Sequence, residues 1–127
     1  MGRYYIDRIR ERTRVSLPED WGKFNDKREI QWTEEREKYG FDSRETWSLN
    51  YTFYVWLYER LSMYNEVNVV DTSFHKFEFD GETLTFQEAI DKILVICNNV
   101  IVGEDIDVDK NGVVPRLFAE IFGCLWW

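Results

Sequence analysis

The stretch that most limits how this chain can fold is LNYTFYVWLYERLSMYN, residues 49–65. At helical spacing it carries two apolar stripes, Tyr54, Leu57, Leu61 and Tyr64 on one side and Leu49, Phe53, Trp56 and Met63 on another. An ordinary surface helix hides one stripe and wets the rest. A helix apolar on two sides is therefore expected to lie between other elements, at the centre of the fold. Ser48, just before it, is a natural N-cap.

The flanking segments supply those other elements. Residues 3–14 predict a short amphipathic helix, with Tyr5, Ile6 and Ile9 opposite arginines. Ser16-Leu17-Pro18-Glu19 reads as a helix start, with Ser16 as cap, proline in the first turn and Glu19 reaching back. The helix it opens, with a break near Asn25, carries Trp21, Phe24, Ile30 and Trp32 and ends at Gly40. Asp42-Ser43-Arg44-Glu45 begins a further turn. In HKFEFDGETLTF the period changes from helical to alternating, and Asp80-Gly81 is a strong signal for a two-residue hairpin turn. Thr85-Phe86-Gln87-Glu88 is a capping box, followed by Phe86, Ala89, Ile90, Ile93, Leu94, Cys97 and Ile101 at helical spacing. An acidic loop from Gly103 to Gly112 leads to a last helix with Pro115 in its first turn. The expectation is a mainly α chain with one β-hairpin, a small α+β fold built as a compact helical domain around residues 49–65. One domain is expected over residues 1–127, with 1–14 a basic N-terminal helix that either docks on the core or stands peripheral to it, which the sequence leaves open.

The charge is uneven. The total is −8. Residues 1–14 hold five Arg against Asp7 and Glu11, which leaves +3 there and −11 on the remainder. From Glu78 onward ten acidic side chains face three basic ones. Such a polyanion is repelled by phosphate backbones, which disfavours direct nucleic-acid binding outside the N-terminal segment. The same charge attracts proteins that themselves bind nucleic acid. The commoner role of acidity, keeping a protein in solution, needs no partner at all. Nine Phe, seven Tyr and six Trp are many rings for 127 residues, and large aromatics dominate both cores and interfaces.

Cys97 and Cys124 are the only cysteines, and Cys97 sits in an apolar helical stripe as a small hydrophobe. With one histidine they cannot make a structural zinc site without carboxylates. The opening residues have no apolar leader region, and no stretch approaches ~20 apolar residues. A cytoplasmic protein without a membrane role, cofactor or disulfide framework is expected.

Asp107-Val108-Asp109-Lys110-Asn111-Gly112 is the sharpest chemical pattern, since it matches the first half of a calcium-binding loop, with Asp107, Asp109 and Asn111 as ligands. The twelfth position, where a bidentate glutamate closes the shell, is Phe118. An Asx-rich turn, with Asn111-Gly112 supplying positive φ, accounts for the pattern more simply. His75, the single histidine, shares a strand face with Phe77 and Phe79. No nucleophile motif accompanies it, so it reads as a hydrogen-bonded residue at a core edge. Trp126 and Trp127 close the sequence. They are expected either to fold back along the stripe Phe118, Ile121, Phe122 and Leu125 or to sit in a partner.

The run Gly40-Phe41-Asp42-Ser43-Arg44-Glu45-Thr46-Trp47-Ser48-Leu49-Asn50-Tyr51-Thr52, with His75-Lys76-Phe77-Glu78-Phe79, Gly81 and the terminal Leu125-Trp126-Trp127, resembles a group of short uncharacterised proteins of tailed bacteriophages and prophages. Thr46-Trp47-Ser48-Leu49 is its distinctive core. Asn50 stands where that group usually has aspartate, and Tyr58-Glu59-Arg60-Leu61 replaces its proline-containing helix end. The resemblance implies a phage accessory gene and no particular activity.

Joined to the charge pattern, it leads to three expectations. The first is a non-enzymatic inhibitor of a host antiviral defence protein in the bacterial cytoplasm, such as a CRISPR effector. It would occupy a basic nucleic-acid channel through Glu82, Glu104, Asp105, Asp107 and Asp109, with Trp126 and Trp127 as further contacts. The second is a sponge for a nucleotide immune signal, with Tyr58 stacking a base and Arg44, Arg60 and Arg116 holding phosphates. The third is a metal-dependent enzyme using Asp105, Asp107 and Asp109. The sequence leaves the partner's identity and the oligomeric state open.

Overall fold

A computed structural model describes residues 26–67 and 75–125. The helix expected over residues 3–14, the helix start at Ser16, Trp21, Phe24, and the pair Trp126 and Trp127 lie outside the described residues. The described elements are helices α1 (Asp26–Tyr39), α2 (Leu49–Val67), α3 (Phe86–Gly103) and α4 (Val113–Ile121), with strands β1 (Lys76–Phe79) and β2 (Glu82–Thr85). Short 3-10 turns occupy Ser43–Thr46, Ile106–Asp109 and Phe122–Cys124. The architecture is mainly α with one antiparallel hairpin, as the sequence predicts. None of the described helices is long and apolar enough to cross a membrane. The chain divides into two compact units at a point inside α2, between Trp56 and Leu57.

In the first unit, α1 stops where the sequence places its end. Gly40 takes φ 86°, a region closed to most side chains, and its N–H donates to the Arg36 carbonyl at 2.9 Å. Trp32 is the apolar anchor of α1 at 2% exposure, whereas Ile30 lies in the open. The Asp42 carboxylate then caps the 3-10 turn by accepting the Arg44 N–H. The Thr52 N–H donates to the Ser48 carbonyl at 2.9 Å, and its buried hydroxyl donates to the Glu45 carbonyl at 2.7 Å, which ties the turn to the start of α2. Tyr51, Tyr54 and Val55 are buried beyond it.

The second unit is organised by α3. Asp80 (φ 49°) and Gly81 (φ 82°) make the two positive-φ positions of a tight hairpin turn, and Phe79 pairs with Glu82 across it. Thr85 ends β2 and caps α3 in the same step. Its hydroxyl accepts the Glu88 N–H at 3.1 Å while the Glu88 carboxylate accepts the Thr85 N–H at 3.0 Å. That geometry holds the Glu88 carboxyl below its usual pKa, first through the bond from the Thr85 backbone and then through that with its hydroxyl. The Phe86 N–H reaches back to the His75 carbonyl, locking strand to helix. From there α3 buries Phe86, Ala89, Ile90, Ile93, Cys97 and Val100 on one face. It packs on β2, on the 106–109 turn and on α4, which also meets β1. Val114, Leu117 and Ile121 of α4 are fully buried, as is nearly all of Leu57 and Leu61.

Two details correct the expectations. Only one stripe of α2 is buried among the described residues. Tyr54, Leu57 and Leu61 are inside with Tyr64 half-buried, while Leu49 and Met63 are about two-thirds exposed and Trp56 stands at the surface. Phe53 and Trp56 shield part of each other by stacking at 6.3 Å. The other correction is at the end of α3. Gly103 stays in the helix, and the left-handed terminator is Glu104 at φ 49°, with the Asp105 N–H donating to the Val100 carbonyl at 3.1 Å.

Candidate functional site

The acidic loop resolves into residues with different tasks. Asp109 is buried, and its two carboxylate oxygens accept the Val113 and Val114 N–H groups at 2.9 and 3.0 Å. It is therefore the cap of α4, which has no side-chain bond from its own first flanking residue, Gly112. Gly112, at φ 63°, makes the bend that brings those amides round to the carboxylate. Asp109 thus leaves the exposed acidic surface to which the sequence assigns it, because one buried and one part-buried N–H group at the start of α4 need an acceptor. Asp105 caps the preceding 3-10 turn through the Asp107 N–H at 2.9 Å and remains exposed. Glu104 and Asp107 are exposed as well, beside exposed Val102 and Val108. Three carboxylates and two apolar side chains thus share one corner between α3 and α4. Glu82 is exposed on β2 but sits 3.3 Å from the Lys92 ammonium.

The half-loop for calcium takes on the shape of the Asx-rich turn. With Asp109 turned inward and the exposed Asn111 giving its backbone carbonyl to Arg116 Nε at 3.3 Å, the ligand set is not assembled. Among the described residues no three His, Cys, Asp or Glu side chains gather where a metal ion could sit. His75 is half-buried at the head of β1, where its backbone carbonyl serves α3. Burial, and then the nearby Asp109 charge, push the Cys97 thiol up to about 12, so it stays a protonated hydrophobe.

The arginines proposed to hold phosphate are largely committed. Arg44 clasps Asp42 with Nε at 2.9 Å and Nη2 at 2.7 Å, and its guanidinium lies 4.5 Å from the centroid of the Trp32 ring. Arg36 adds Nη1 on the same carboxylate at 2.7 Å. Burial works to raise the Asp42 pKa, but the bonds from Arg44 and Arg36 outweigh it and hold the group below the usual carboxylate value. Asp42 in turn raises the Arg44 pKa. In the second unit Arg116 forks onto Asp80 at 2.9 and 3.1 Å over the face of Phe79, and that bond lowers the Asp80 pKa. Arg60 lies 3.9 Å from Glu59, and Tyr58 is half-buried. Two of the three forks suited to phosphate already hold carboxylates.

The first unit carries two concavities that spacing alone did not reveal. One, of about 320 Å³, is lined by Phe41, Leu49, Phe53 and Trp56, with Glu45, Thr46 and Thr52 between them. The other, of about 430 Å³, lies among Arg28, Gln31, Trp32, Ser43 and Trp47. The contiguous run from Gly40 to Thr52 was the available signal, since residues of that run line both. No protein-family model, no curated protein and no solved structure was found to match the chain.

Proposed function

We propose that this chain is a phage accessory protein that acts by binding a host defence protein, with the recess of Phe41, Leu49, Phe53 and Trp56 as its anchor point. The observation that carries this reading is the exposure of Leu49, at 65%, in the lining of a recess that it shares with the rings of Phe41, Phe53 and Trp56. A large apolar side chain left in water beside rings is the arrangement that interface cores use, with aromatic anchors surrounded by near-neutral contacts. Five lining residues, Phe41, Glu45, Thr46, Leu49 and Thr52, fall inside the run that resembles phage proteins.

The corner made by Glu104, Asp105 and Asp107 supplies the second half of the reading. Exposed carboxylates on a chain of net charge −8 favour a basic partner surface, of the kind that handles nucleic acid in a CRISPR effector. Glu104 strengthens the case. It occupies a left-handed position next to a glycine, where glycine itself would be less strained. A carboxylate kept at a conformational cost is a sign of use.

The test is capture of partners from nuclease-treated bacterial lysate with the tagged chain, beside its Leu49→Glu variant. An acidic residue suits the first turn of a helix, so this variant should fold while presenting a charge to any apolar partner. One stoichiometric host protein, retained by the parent and lost by the variant, supports the reading. Equal retention by both sinks the recess as anchor.

A further inference from the structure

The hairpin is a sheet of two strands, so each strand has an outer edge. Which main-chain groups point outward follows from the register. The Phe86 N–H donates to the His75 carbonyl, which makes 75 and 86 a hydrogen-bonded pair. Such pairs alternate along an antiparallel ladder. Phe77 opposite Leu84 and Phe79 opposite Glu82 therefore spend their N–H and C=O groups inside the hairpin. Lys76 and Glu78, opposite Thr85 and Thr83, turn theirs outward. The Thr85 N–H obeys the same alternation, since it leaves the ladder for the Glu88 carboxylate. That bond occupies part of the β2 edge. Among the described residues, the main chain of Lys76 or Glu78 makes no such bond at the β1 edge.

An unpaired strand edge is a template for further pairing, and a lysine on it commonly guards against that. Here the guard has a counterpart two residues on. Lys76 and Glu78 are both exposed and share the solvated face of the hairpin. Lys76 makes no ion pair among the described residues. Glu78 accepts the Thr83 hydroxyl on that face, and a carboxylate has room for further donors. Phe77 points the other way, half-buried, with its ring 6.4 Å from that of Phe86. Arg116 of α4 grips the hairpin at its turn, forked onto Asp80 and lying over Phe79, at the far end from Lys76.

We propose that β1 pairs with β1 of a second copy of this chain, antiparallel and centred on Phe77, joining the two hairpins into one continuous sheet. In that register Lys76 stands opposite Glu78 of the second copy, and Glu78 opposite its Lys76. These are the positions whose main-chain groups face outward, so each pair can exchange both of its N–H···O bonds. The contact is isologous, as a two-fold axis requires. Phe77 meets its own copy across that axis at the closer, non-hydrogen-bonded spacing, which covers a ring that one copy leaves half-buried. The charge pattern selects the register. A slip of two residues sets Lys76 against Lys76 or Glu78 against Glu78, and in-register parallel pairing sets like against like at both positions. The net charge of −8 opposes association at long range, but it is screened beyond about 8 Å at physiological salt. A ladder this short is expected to associate at about 10–100 µM. None of the residues of the Leu49 recess or of the acidic corner takes part, so the pairing stands or falls apart from host binding.

The experiment is sedimentation velocity of the full chain at concentrations up to about 1 mM. It compares the parent, Lys76→Glu, Glu78→Lys, the double exchange, and an equimolar mixture of the two single variants. The parent should pass from monomer to dimer. Each single reversal places like charges in both pairs and should weaken dimerisation by about tenfold or more. Both side chains are exposed, so the melting temperature of the dilute monomer should not move. The double exchange should dimerise like the parent. The mixture should form heterodimers, because each variant supplies the charge that the other lacks. In amide hydrogen exchange, the Lys76 and Glu78 N–H groups should gain protection with concentration while that of Thr83, on the β2 edge, does not. A monomer throughout, a dimer indifferent to the single reversals, a loss that neither the double exchange nor the mixture restores, or protection at Thr83 in place of Lys76 and Glu78 would each overturn it.

Discussion

Asp109 illustrates why a residue's chemistry cannot be read from its neighbours in sequence alone. The pattern D-x-D-x-N-G is common to cation loops and to turns that cap a helix, and the difference lies in where one carboxylate points. Gly112 settles it by folding the first amides of α4 back over Asp109. Asp109→Ala should therefore destabilise the chain by about 1–3 kcal/mol in urea unfolding, since one buried and one part-buried donor lose their acceptor. Asp109→Asn, which keeps one acceptor oxygen, should recover part of that. An unchanged midpoint in both variants would return Asp109 to the list of surface acids. The Asp42 cluster was hidden for a related reason, because Arg36 and Arg44 converge on it only through the turn after Gly40. Its pH dependence has a definite sign. The folded pKa of Asp42 is below the unfolded value of about 3.9, so its contribution is complete above roughly pH 4 and disappears as pH falls through the lowered folded value. Asp42→Asn should lower stability at pH 7 and flatten that acid limb, and an unaltered limb would show the clasp to be energetically idle.

At the scale of elements, what was legible is what is written in contiguous residues. The hairpin turn at Asp80-Gly81, the Thr85–Glu88 capping box and the stop at Gly40 each need only a few adjacent positions, and each forms where expected. The open stripe of α2 was not legible, because Leu49 and Leu61 look alike in sequence and differ only in what lies across from them. The end of α3 was misread by one residue. Gly103 has the permissive backbone, but the helix runs through it and Glu104 takes the left-handed turn. Nothing lies within 4 Å of the position where a Cβ would stand on Gly103, so no close packing demands glycine there. Glu104→Gly should accordingly raise stability by about 0.5–1 kcal/mol, by relieving positive φ at a site a glycine adopts freely. If the same variant also weakens partner binding, the strained carboxylate is retained for recognition. If it stabilises without affecting binding, Glu104 is only an imperfect helix terminator.

Over the whole molecule the two proposed contributions to binding, the recess of the first unit and the acidic corner of the second, should separate kinetically. Charge at distance acts on encounter, because a field of net −8 raises the local concentration of a basic partner before any contact is made. Buried apolar contact acts on escape, because it exists only after docking. Reversing Glu104 and Asp107 together with Lys leaves the Asp105 cap of the 106–109 turn in place, so the change is electrostatic rather than structural. With the captured partner in hand, this double variant should slow association by about tenfold at low salt and lose most of that difference near 0.5 M, where the Debye length is down to roughly 4 Å. Leu49→Glu should leave association nearly unchanged and speed dissociation by about tenfold to a hundredfold, as expected when an apolar anchor is lost. Stopped-flow and surface-capture measurements at several ionic strengths distinguish the two effects. Should the charge variant act on dissociation and the Leu49 variant on association, the assignment of anchor to the recess and steering to the acidic corner would be reversed. Salt-independent rates in every variant would leave the acidic corner without a part in recognition.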